Sequence, residues 1–506
     1  MPDDQDAVID FLSDPATHGG APVEHVQTHG AHVFLAGDAA YKIKRAVRYD
    51  YMDFSTLAAR ERMLRRELEL NRPAAPGIYR DVVPITREGA ALAFDGDGPP
   101  VEWVLRMRRF PEGAELSAVA ARGALTDAMA EDLGHVVAAY HAQAPRREDD
   151  GTARMRAVVS ELENTLGGMG DRLGAGRVSA FSQRARALLN PHAPLLSRRS
   201  REGRVRRCHG DLHLRNLALV DGRPVPFDAL EFNEDLATCD ILYDLAFLVM
   251  DLQHRGHDRA ANIVLNAWLF DAAGAEDAAL AALPLFLALR AGIRAMVTVQ
   301  ADAAAGRAGA SDADARAYMD YALEVLEDTP PRLVAVGGLS GTGKSTLSRR
   351  LAPGIGRAPG AVHLRSDLER KALFGVDPQD RLPDDAYSAA AGQAVYDRLL
   401  ARAETILGAG QSALLDATFL SPPQRDAAAA LADRAGVPFH GLWLEAPDTT
   451  LAERVRARRG DASDADIAVL TRQLERDIGA VSWARLDASG ALDDTVARAR
   501  TRLFGA

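Results

Sequence analysis

The chain has 506 residues, of which 47% are hydrophobic and 26% are charged, and this composition indicates a soluble globular protein of roughly two to four domains. Its formal net charge of −11 excludes a global positive field that would attract phosphate backbones, so we expect no nucleic-acid partner. The two cysteines, Cys208 and Cys239, exclude a disulfide scaffold.

The sequence also argues against export and against a membrane partner. It begins Met-Pro-Asp-Asp, which is acidic and lacks the apolar segment of a signal peptide. The most apolar stretches, Ile241–Leu252 and Ala278–Val299, are interrupted by Asp244, Arg290 and Arg294, so they predict buried helices rather than membrane spans. We therefore expect a cytoplasmic protein.

The first part of the chain predicts strands followed by helices. Alternating or continuous apolar residues favour strands at His32–Arg45, near Val82–Thr86 and at Val101–Met107. A charged helical stretch is expected at Leu57–Asn71, and helical periodicity dominates from Ala118 to about Leu189, with an interruption around residues 144–151. This order indicates the two lobes of one catalytic domain.

The second part predicts a change of fold class. A β-rich segment surrounds residues 209–232, helices continue to about Glu327, and Asp328-Thr-Pro-Pro-Arg332 is a proline-stiffened joint. Strands then alternate with helices, as in a parallel βαβ sheet, at Leu333–Val336, Ala361–Leu364, Ser412–Asp416 and Gly441–Glu445. We predict a two-lobed α+β domain over 1–328, a linker at 329–332 and an α/β domain with a parallel sheet over 333–506.

Residues 338–345 carry the strongest motif. Gly338-Leu-Ser-Gly-Thr-Gly-Lys-Ser345 fits the phosphate-binding pattern G-x-x-x-x-G-K-[ST], follows a predicted strand and opens a predicted helix at Thr346–Leu351. Glycines let consecutive backbone N–H groups turn toward phosphates, and the helix N-terminus adds partial positive charge. We expect Lys344 to reach the β- and γ-phosphates and the Ser345 hydroxyl to ligate Mg²⁺. The predicted nucleotide-binding residues are Gly338, Leu339, Ser340, Gly341, Thr342, Gly343, Lys344, Ser345 and Thr346.

Charged residues follow the neighbouring strands. Asp416 ends a strand, where an acid that holds Mg²⁺ or orients water is expected, although an Asp that caps the next turn would look the same. Asp367 is placed to accept a proton from a substrate hydroxyl while Arg370 grips a phosphate. A lid over the nucleotide, or alternatively a solvated basic face, is predicted at Arg454, Arg458 and Arg459.

This third of the chain, roughly residues 331–506, resembles the small P-loop kinases that phosphorylate metabolites, such as gluconate and adenylylsulfate kinases, and also zeta-type toxins. The matching parts are the loop at 338–345, Ser366-Asp-Leu-Glu-Arg370, Leu415-Asp-Ala-Thr418 and the arginine-bearing helix near Arg454. The loop is specific for nucleotide binding, whereas the other parts do not name a substrate.

A second catalytic pattern lies in the N-terminal domain. The segment His209-Gly-Asp-Leu-His-Leu-Arg-Asn216 has the H-x-D-x-x-x-x-N spacing of a kinase catalytic loop. In that geometry Asp211 accepts the proton of the attacking hydroxyl, and Asn216 supplies an oxygen to Mg²⁺.

Here the chain resembles the aminoglycoside and choline phosphotransferase family, whose members have a protein-kinase-like fold. The match spans about residues 25–325 and includes Asp240-Ile-Leu-Tyr-Asp-Leu-Ala246 downstream of the catalytic loop. The resemblance implies that Lys42 holds the phosphates and that Glu67 is its ion-pair partner. Lys44 competes for this role because side chains on one face of a strand repeat every two residues.

Two departures from the family pattern leave the metal acid open. The expected Asp-Phe-Gly-like tripeptide is replaced by Phe227-Asp-Ala-Leu-Glu-Phe232, so either Asp228 or Glu231 is the candidate Mg²⁺ ligand. In addition, no G-x-G-x-x-G loop precedes Lys42.

The leading interpretation is a fusion of two phosphotransferase units, each using ATP and Mg²⁺ to phosphorylate hydroxyl groups of small-molecule substrates. One alternative is a regulatory protein in which the P-loop unit is an ATP-driven switch and the first unit senses a ligand without catalysis. Another is a toxin-like C-terminal unit that phosphorylates a nucleotide sugar. The oligomeric state is unknown from the sequence.

Overall fold

The computed structural model describes residues 5–49, 52–378, 380–457 and 463–505. The chain divides into two compact units, Met1–Arg156 with Pro194–Asp251, and Ala157–Ala193 with Leu252–Ala506. The second unit therefore contains helices that the sequence pattern placed in the first domain. The domain limits 1–328, 329–332 and 333–506 stay a sequence-based prediction.

The first unit begins with an antiparallel sheet. Its N-terminal strands are β1 (Val23–Gln27), β2 (Ala31–Ala36), β3 (Ala39–Lys44), β4 (Arg48–Tyr49), β5 (Met52–Asp53), β6 (Tyr79–Glu88), β7 (Ala91–Phe94) and β8 (Pro100–Arg108). Apart from the short ribbon of β4 and β5, these strands pair in the order β1-β2-β3-β8-β6-β7. Phe34, Ile43 and Val104 of the sheet pack against Val8 and Leu12, which precede it in the chain.

The strand predicted over His32–Arg45 is wrong as a single strand. It is a hairpin in which Ala36 of β2 pairs with Ala39 of β3, and Gly37 turns the chain with φ +57. The Gly-Asp pair at 37–38 is a two-residue turn signal, and glycine enters the left-handed region without a Cβ clash. The turn was missed because apolar alternation continues on both sides of it.

The first half of the chain also contains helices, and those within residues 157–193 belong to the second unit. Those of the first half of the chain are α1 (Asp6–Ser13), α2 (Leu57–Asn71), α3 (Leu116–Ala121), α4 (Asp127–Gln143), α5 (Gly151–Gly167), α6 (Gly170–Leu173) and α7 (Ala175–Arg201). Helix α2 begins where the Thr56 side chain accepts a hydrogen bond from the Ala59 N–H, and its Leu64 packs against Leu105 and Val82 of the sheet. The predicted helix at Leu57–Asn71 and the predicted break between α4 and α5 are both confirmed.

The remainder of the first unit carries the predicted β-rich segment. Its elements are β9 (Val205–Arg207), β10 (Leu217–Val220), β11 (Arg223–Pro226), α8 (Glu234–Ala237), β12 (Thr238–Asp240) and α9 (Ile241–His254). Strands β10 and β11 form one antiparallel ribbon, and β9 pairs with β12. The loop between β9 and β10 holds Asp211 and Asn216.

The second unit is built around a parallel sheet. Its strands are β13 (Leu333–Gly338), β14 (Val362–Arg365), β15 (Ala413–Asp416), β16 (Phe439–Glu445) and β17 (Ala484–Asp487), in the order β14-β15-β13-β16-β17. Every residue of β13 is buried, which explains why the sequence pattern there is continuously apolar rather than alternating. The prediction of a parallel sheet is confirmed, with β17 as a strand that the pattern did not reveal.

Besides the parts of α5, α6 and α7 within residues 157–193, the second unit contains helices on both sides of the linker region in sequence. They are α10 (Asp258–Asp271), α11 (Leu283–Ala304), α12 (Asp312–Val325), α13 (Lys344–Leu351), α14 (Ser366–Phe374), α15 (Ala389–Gly408), α16 (Pro422–Ala435), α17 (Asp448–Ala457), α18 (Ile467–Leu474) and α19 (Leu492–Phe504). Helix α13 begins at Lys344, two residues earlier than expected. Among the described residues, the stretch Asp277–Ala304 is long and apolar enough to cross a membrane, but most of it is buried inside the protein, as in a core helix.

Candidate active sites

One buried carboxylate, that of Asp244, binds the backbone of the catalytic loop of the first unit. Asp244 on α9 accepts hydrogen bonds from the backbone N–H of Gly210 (2.9 Å, Oδ1) and of His209 (3.2 Å, Oδ2). The His141 ring also approaches it, with Nε2 3.1 Å from Oδ2. Asp244 thus fixes the backbone on which Asp211 stands. In the sequence, Asp244 stood out only as part of the segment 240–246 that resembles the phosphotransferase family.

Asp211 and Asn216 are brought together as the spacing predicted. The Asn216 side-chain amide donates to the Asp211 carboxylate Oδ2 and to the Asp211 carbonyl, both at 2.9 Å. The His213 ring nitrogen Nε2 lies 3.4 Å from the same carboxylate. Because the amide nitrogen of Asn216 makes these two bonds, its side-chain oxygen is not used by them and is a candidate metal ligand.

Lys42 and Lys44 both bind Glu67, and they differ in their second partners. Lys42 Nζ lies 2.8 Å from Glu67 Oε1 and 2.7 Å from Asp228 Oδ1. Lys44 Nζ lies 2.7 Å from Glu67 Oε2 and 2.5 Å from Glu231 Oε1. The Asp228 side chain is 41% exposed whereas that of Glu231 is 8% exposed. Geometry therefore favours Lys42 and Asp228 as the pair that faces a ligand, and Lys44 and Glu231 as the buried pair.

The backbone around Asp228 is held in an unusual conformation. Asp228 has φ +59, and its N–H donates to the Tyr79 hydroxyl at 3.0 Å. The next N–H, of Ala229, donates to Asn71 Oδ1 at 2.8 Å. Asn71 in turn donates to the Glu67 carbonyl one turn earlier on α2. A non-glycine residue in this region costs on the order of 1 kcal/mol or more and persists where surrounding contacts enforce it, often at functional sites.

The charges of this cluster stabilise one another. Partial desolvation would raise the pKa of Asp228, but the Lys42 ammonium outweighs this effect and holds the pKa below its ordinary value. Burial would likewise lower the pKa of Lys42, but the carboxylates of Asp228 and Glu67 raise it well above its ordinary value. Burial lowers the pKa of His209 in the catalytic loop. Asp228 and Lys42 are thus ionised and His209 is neutral near pH 7.

The donor set of this cluster fits a magnesium nucleotide. A carboxylate from Asp228 and an amide oxygen from Asn216 are the hard oxygen ligands that Mg²⁺ prefers. The two residues are neighbours, because the Phe227 N–H donates to the Asn216 carbonyl at 3.0 Å. Lys42 supplies the ammonium for phosphate oxygens beside them.

The phosphate-binding loop of the second unit follows β13, the central strand of the sheet, at its carboxyl end. Two of its glycines are required by close approach: a Cβ on Gly338 would lie 2.6 Å from the Leu444 carbonyl oxygen, and one on Gly341 would lie 2.7 Å from that of Leu451. Gly343, with φ +87, would direct a Cβ into open space. The loop therefore forms a hollow rather than a packed turn, and this hollow fits phosphate oxygens.

Two polar groups of the loop are engaged by the protein itself. The Lys344 ammonium donates to the Leu339 carbonyl at 3.0 Å, and the Ser340 N–H donates to Oε1 of Gln473 at 2.8 Å. Gln473 lies on α18, and no sequence pattern suggested its contact with the loop. A bound phosphate and the Gln473 side chain would compete for the Ser340 N–H.

A cleft of about 630 Å³ opens beside the loop. The predicted residues that line it are Ser340, Gly341, Thr342, Gly343, Lys344, Ser345, Thr346, Asp367, Asp416 and Arg454. Gly338, the last residue of β13, and Leu339 do not line it. Arg365 and Arg370 also line the cleft.

The two carboxylates of the cleft have opposite electrostatic environments. Burial would raise the pKa of Asp416, but a hydrogen bond from His363 Nε2 (3.1 Å from Oδ2) and the charge of Arg365 lower it to about 2. Burial lowers the pKa of His363, which is therefore neutral near pH 7 and donates through Nε2–H. By contrast, burial raises the pKa of Asp367, and the negative charge of Asp416 adds to the effect despite Arg365. These opposite pKa shifts distinguish Asp416, which stays ionised, from Asp367, which is more readily protonated.

Arg370, which lines the cleft together with Asp367, is held by contacts with neighbouring residues. Arg370 donates to the Ala386 carbonyl at 2.6 Å, and its guanidinium lies 5.3 Å from the Tyr387 ring centre. The Tyr387 hydroxyl donates to Asp464 at 2.8 Å, and burial raises the pKa of Tyr387. The fully buried Lys371 donates to the carbonyls of residues 378 and 380, so its role is to hold this loop.

Arg454 lies on α17 and is half-buried at the cleft. Its Nη1 donates to the Ala488 carbonyl at 2.8 Å. Arg458 and Arg459, which were predicted to share a lid with Arg454, lie outside the described residues. The lid therefore stays a prediction.

These folds and sites define a protein of the kinase class, with a kinase-like phosphotransferase unit followed by a nucleotide-binding P-loop unit. A family model described as "Phosphotransferase enzyme family" matches residues 53–283, and one described as "AAA domain" matches residues 333–476. The likenesses to phosphotransferases and to P-loop kinases are thereby confirmed.

Two relatives match nearly the whole chain. A protein of Mycobacterium tuberculosis and one of Mycobacterium bovis, both described as uncharacterized, are each 32% identical over 486 residues, which cover 94% of this chain and 94% of the relative. The chain belongs to the same family as these mycobacterial proteins.

Solved structures resemble the two parts separately. A choline/ethanolamine kinase family protein from Mesorhizobium loti is 18% identical, with a TM-score of 0.40, and the match covers 64% of this chain and 98% of that one. A gluconokinase from Sinorhizobium meliloti is 23% identical, with a TM-score of 0.23, and the match covers 35% of this chain and 97% of that one.

Proposed function

We propose that this protein is an ATP-dependent phosphotransferase with two kinase active sites that phosphorylate hydroxyl groups of small molecules. The observation that carries the proposal is the P-loop cleft, in which an ionised Asp416 and an Asp367 of raised pKa lie beside Lys344 and Ser345. A purely structural strand–turn–helix would not need two carboxylates with opposed pKa shifts at a phosphate hollow.

In the P-loop site each residue has a distinct task. Asp367 accepts the proton of the substrate hydroxyl, and Lys344 and Arg454 hold phosphate charge. Ser345 and Asp416 would hold the metal. Bound Mg²⁺ would supply charge neutralisation between the phosphates during transfer.

The residues of the first unit have corresponding roles. Asp211 accepts the hydroxyl proton, Lys42, fixed by Glu67, orients the phosphates, and Asn216 and Asp228 would hold the metal. The exposure of Asp228 supports it over Glu231 for this task. The net charge of −11 supports small-molecule substrates rather than nucleic acid, and we place the protein in the cytoplasm without a membrane partner.

The test uses the full chain. Wild type, Asp211→Asn, Lys344→Ala and the double variant are incubated with Mg²⁺·ATP and a broad panel of hydroxyl compounds, and phosphorylated products are identified by mass spectrometry. We expect each single variant to lose a different set of products and the double variant to lose all of them. ATP hydrolysis without any phosphorylated product, in a wild type that binds ATP, would contradict the proposal and favour an ATP-driven switch.

A further inference from the structure

Strand β14 lies at one edge of the parallel sheet, where an unpaired row of backbone groups requires a partner. Two asparagines one turn apart on α10 provide it. The Asn262 side-chain amide donates to the carbonyls of Pro359 (3.1 Å) and Ala361 (3.0 Å). The Asn266 Oδ1 accepts the His363 N–H at 2.7 Å. Together they bind one backbone group of β14, at His363, and two carbonyls of the segment that leads into it.

The contact of Asn266 leads directly to the P-loop cleft. His363, whose backbone Asn266 holds, is the residue whose ring donates to Asp416 at 3.1 Å. The side chains of His363 and Asp416 are only 7% and 4% exposed, so surrounding atoms fix their orientation. Removing a hydrogen-bond partner that orients a metal ligand typically lowers metal affinity by about 10- to 100-fold.

A second route runs from the same segment to Asp367. Just beyond α10, Asp277 binds Arg402 through two hydrogen bonds of 2.8 Å each. Arg402 also binds Glu369, which stands two residues after Asp367 on α14. Asp277, Arg402 and Glu369 have side-chain exposures of 2%, 8% and 3%. Removal of one member of such a buried ion cluster leaves an uncompensated charge.

By sequence this segment belongs to the phosphotransferase part of the chain, but by packing it belongs to the unit with the P-loop sheet. Residues 258–282 fall inside the match to the phosphotransferase family, which ends at 283, yet they lie in the compact unit that contains the P-loop sheet. Arg357 and Arg398 of the P-loop part add hydrogen bonds to the carbonyls of Leu280 and Ala273. The segment is thus bonded to β14, which pairs with the strand of Asp416, and to α15, whose Arg402 binds Glu369 on the helix of Asp367.

We propose that residues 258–282 are a positioning element of the P-loop active site: Asn266 orients Asp416 through His363, and Asp277 anchors the helix of Asp367 through Arg402 and Glu369. The phosphotransferase part of the chain thereby completes the second site. This inference rests on the function proposed above for the P-loop site.

The test measures how far Mg²⁺ strengthens ADP binding, by calorimetry on the full chain with and without Mg²⁺. The Lys344→Ala variant, measured in parallel, supplies the heat of the first site for subtraction. In Asn266→Leu, which fills the same volume without an acceptor for the His363 N–H, we expect the strengthening by Mg²⁺ to fall about tenfold while ADP binding without Mg²⁺ stays unchanged.

Two further variants separate positioning from stability. Asn262→Ala removes the hydrogen bonds to the carbonyls of Pro359 and Ala361 and one acceptor of the Asn266 amide, but it leaves the bond from the His363 N–H to Asn266 Oδ1. We therefore expect a lower melting temperature and a much smaller loss of the Mg²⁺ effect than in Asn266→Leu. Asn266→Asp keeps an acceptor for the His363 N–H and should retain most of the Mg²⁺ effect, which also tests the idea should Asn266→Leu fold poorly.

The outcomes distinguish the inference from the function on which it rests. A wild type in which Mg²⁺ strengthens ADP binding, together with an unchanged effect in Asn266→Leu, would overturn the inference alone. Equal losses of the Mg²⁺ effect in Asn262→Ala and Asn266→Leu would also overturn it, because general loosening of the edge would then suffice. A wild type with no Mg²⁺ effect at the P-loop site would overturn both.

Discussion

Lys42 Nζ lies 2.7 Å from Asp228 Oδ1, although 186 residues separate the two in sequence. This ion pair supports Lys42, which the family resemblance indicated, over its competitor Lys44, and it favours Asp228 between the two acids that the sequence left open. The neighbouring pair of Lys44 and Glu231 has the same chemistry but is more deeply buried. We therefore expect substitutions in the Lys42–Asp228 pair to affect activity and substitutions in the Lys44–Glu231 pair to affect stability.

Replacing the two lysines should produce different defects. We expect Lys42→Ala to lower phosphotransfer by the first site by about a hundredfold or more, because one preorganised cation at the phosphates is lost. Lys44→Ala should instead lower the free energy of unfolding by about 3 kcal/mol, since Glu231 would remain buried without its partner. Product formation and urea unfolding measure the two effects, and a larger catalytic loss in Lys44→Ala would reverse our assignment.

The two candidate metal acids should separate in the same way. In Asp228→Asn the Mg²⁺ concentration for half-maximal activity of the first site should rise at least about tenfold, because a charged oxygen ligand becomes neutral. Glu231→Gln, the matched variant of the buried pair, should keep the wild-type Mg²⁺ dependence and lose stability. We would abandon Asp228 as the ligand if the Mg²⁺ dependence shifted only in Glu231→Gln.

The acid stability of the protein should depend on Asp416. Its pKa is about 2 in the folded protein against an ordinary value of 3.8, so the ionised form stabilises the fold by about 2 kcal/mol. Because the folded pKa is the lower one, this contribution is complete above pH 3.8 and is lost as the pH falls through about 2. Urea unfolding of wild type and Asp416→Asn between pH 5 and pH 2 should show a shallower acid decline in the variant. Parallel curves would contradict the assigned pKa.

The P-loop site should lose activity in acid through Asp367. A base must be ionised to accept a proton, and burial raises the pKa of Asp367, so turnover should fall as the pH drops through a value above its ordinary 3.8. Measured in an Asp211→Asn background to silence the first site, Asp367→Asn should lower kcat by about 10²- to 10⁴-fold. A variant that retains kcat within a factor of a few would rule out Asp367 as the base.

The sites differ in how much of them could be predicted from neighbouring residues. The loop at 338–345 and the pair Asp211 and Asn216 were predictable because consecutive residues build them. His363, Gln473 and Asn266 carry no motif, and they act through single hydrogen bonds from other elements. A histidine two residues before the end of a strand was the one available signal, since its side chain shares a face with the strand end.

The sequence by itself determined the order of the domains, the parallel sheet after residue 332 and the phosphate hollow, because a strand, a glycine turn and a helix suffice to place backbone N–H groups around a phosphate. The tertiary structure alone decided which second acid each lysine binds, which histidine supports Asp416, and that α10 lies in the P-loop unit. The physical reason is that these pairings depend on register and packing between distant segments, and local residue patterns carry no information about either.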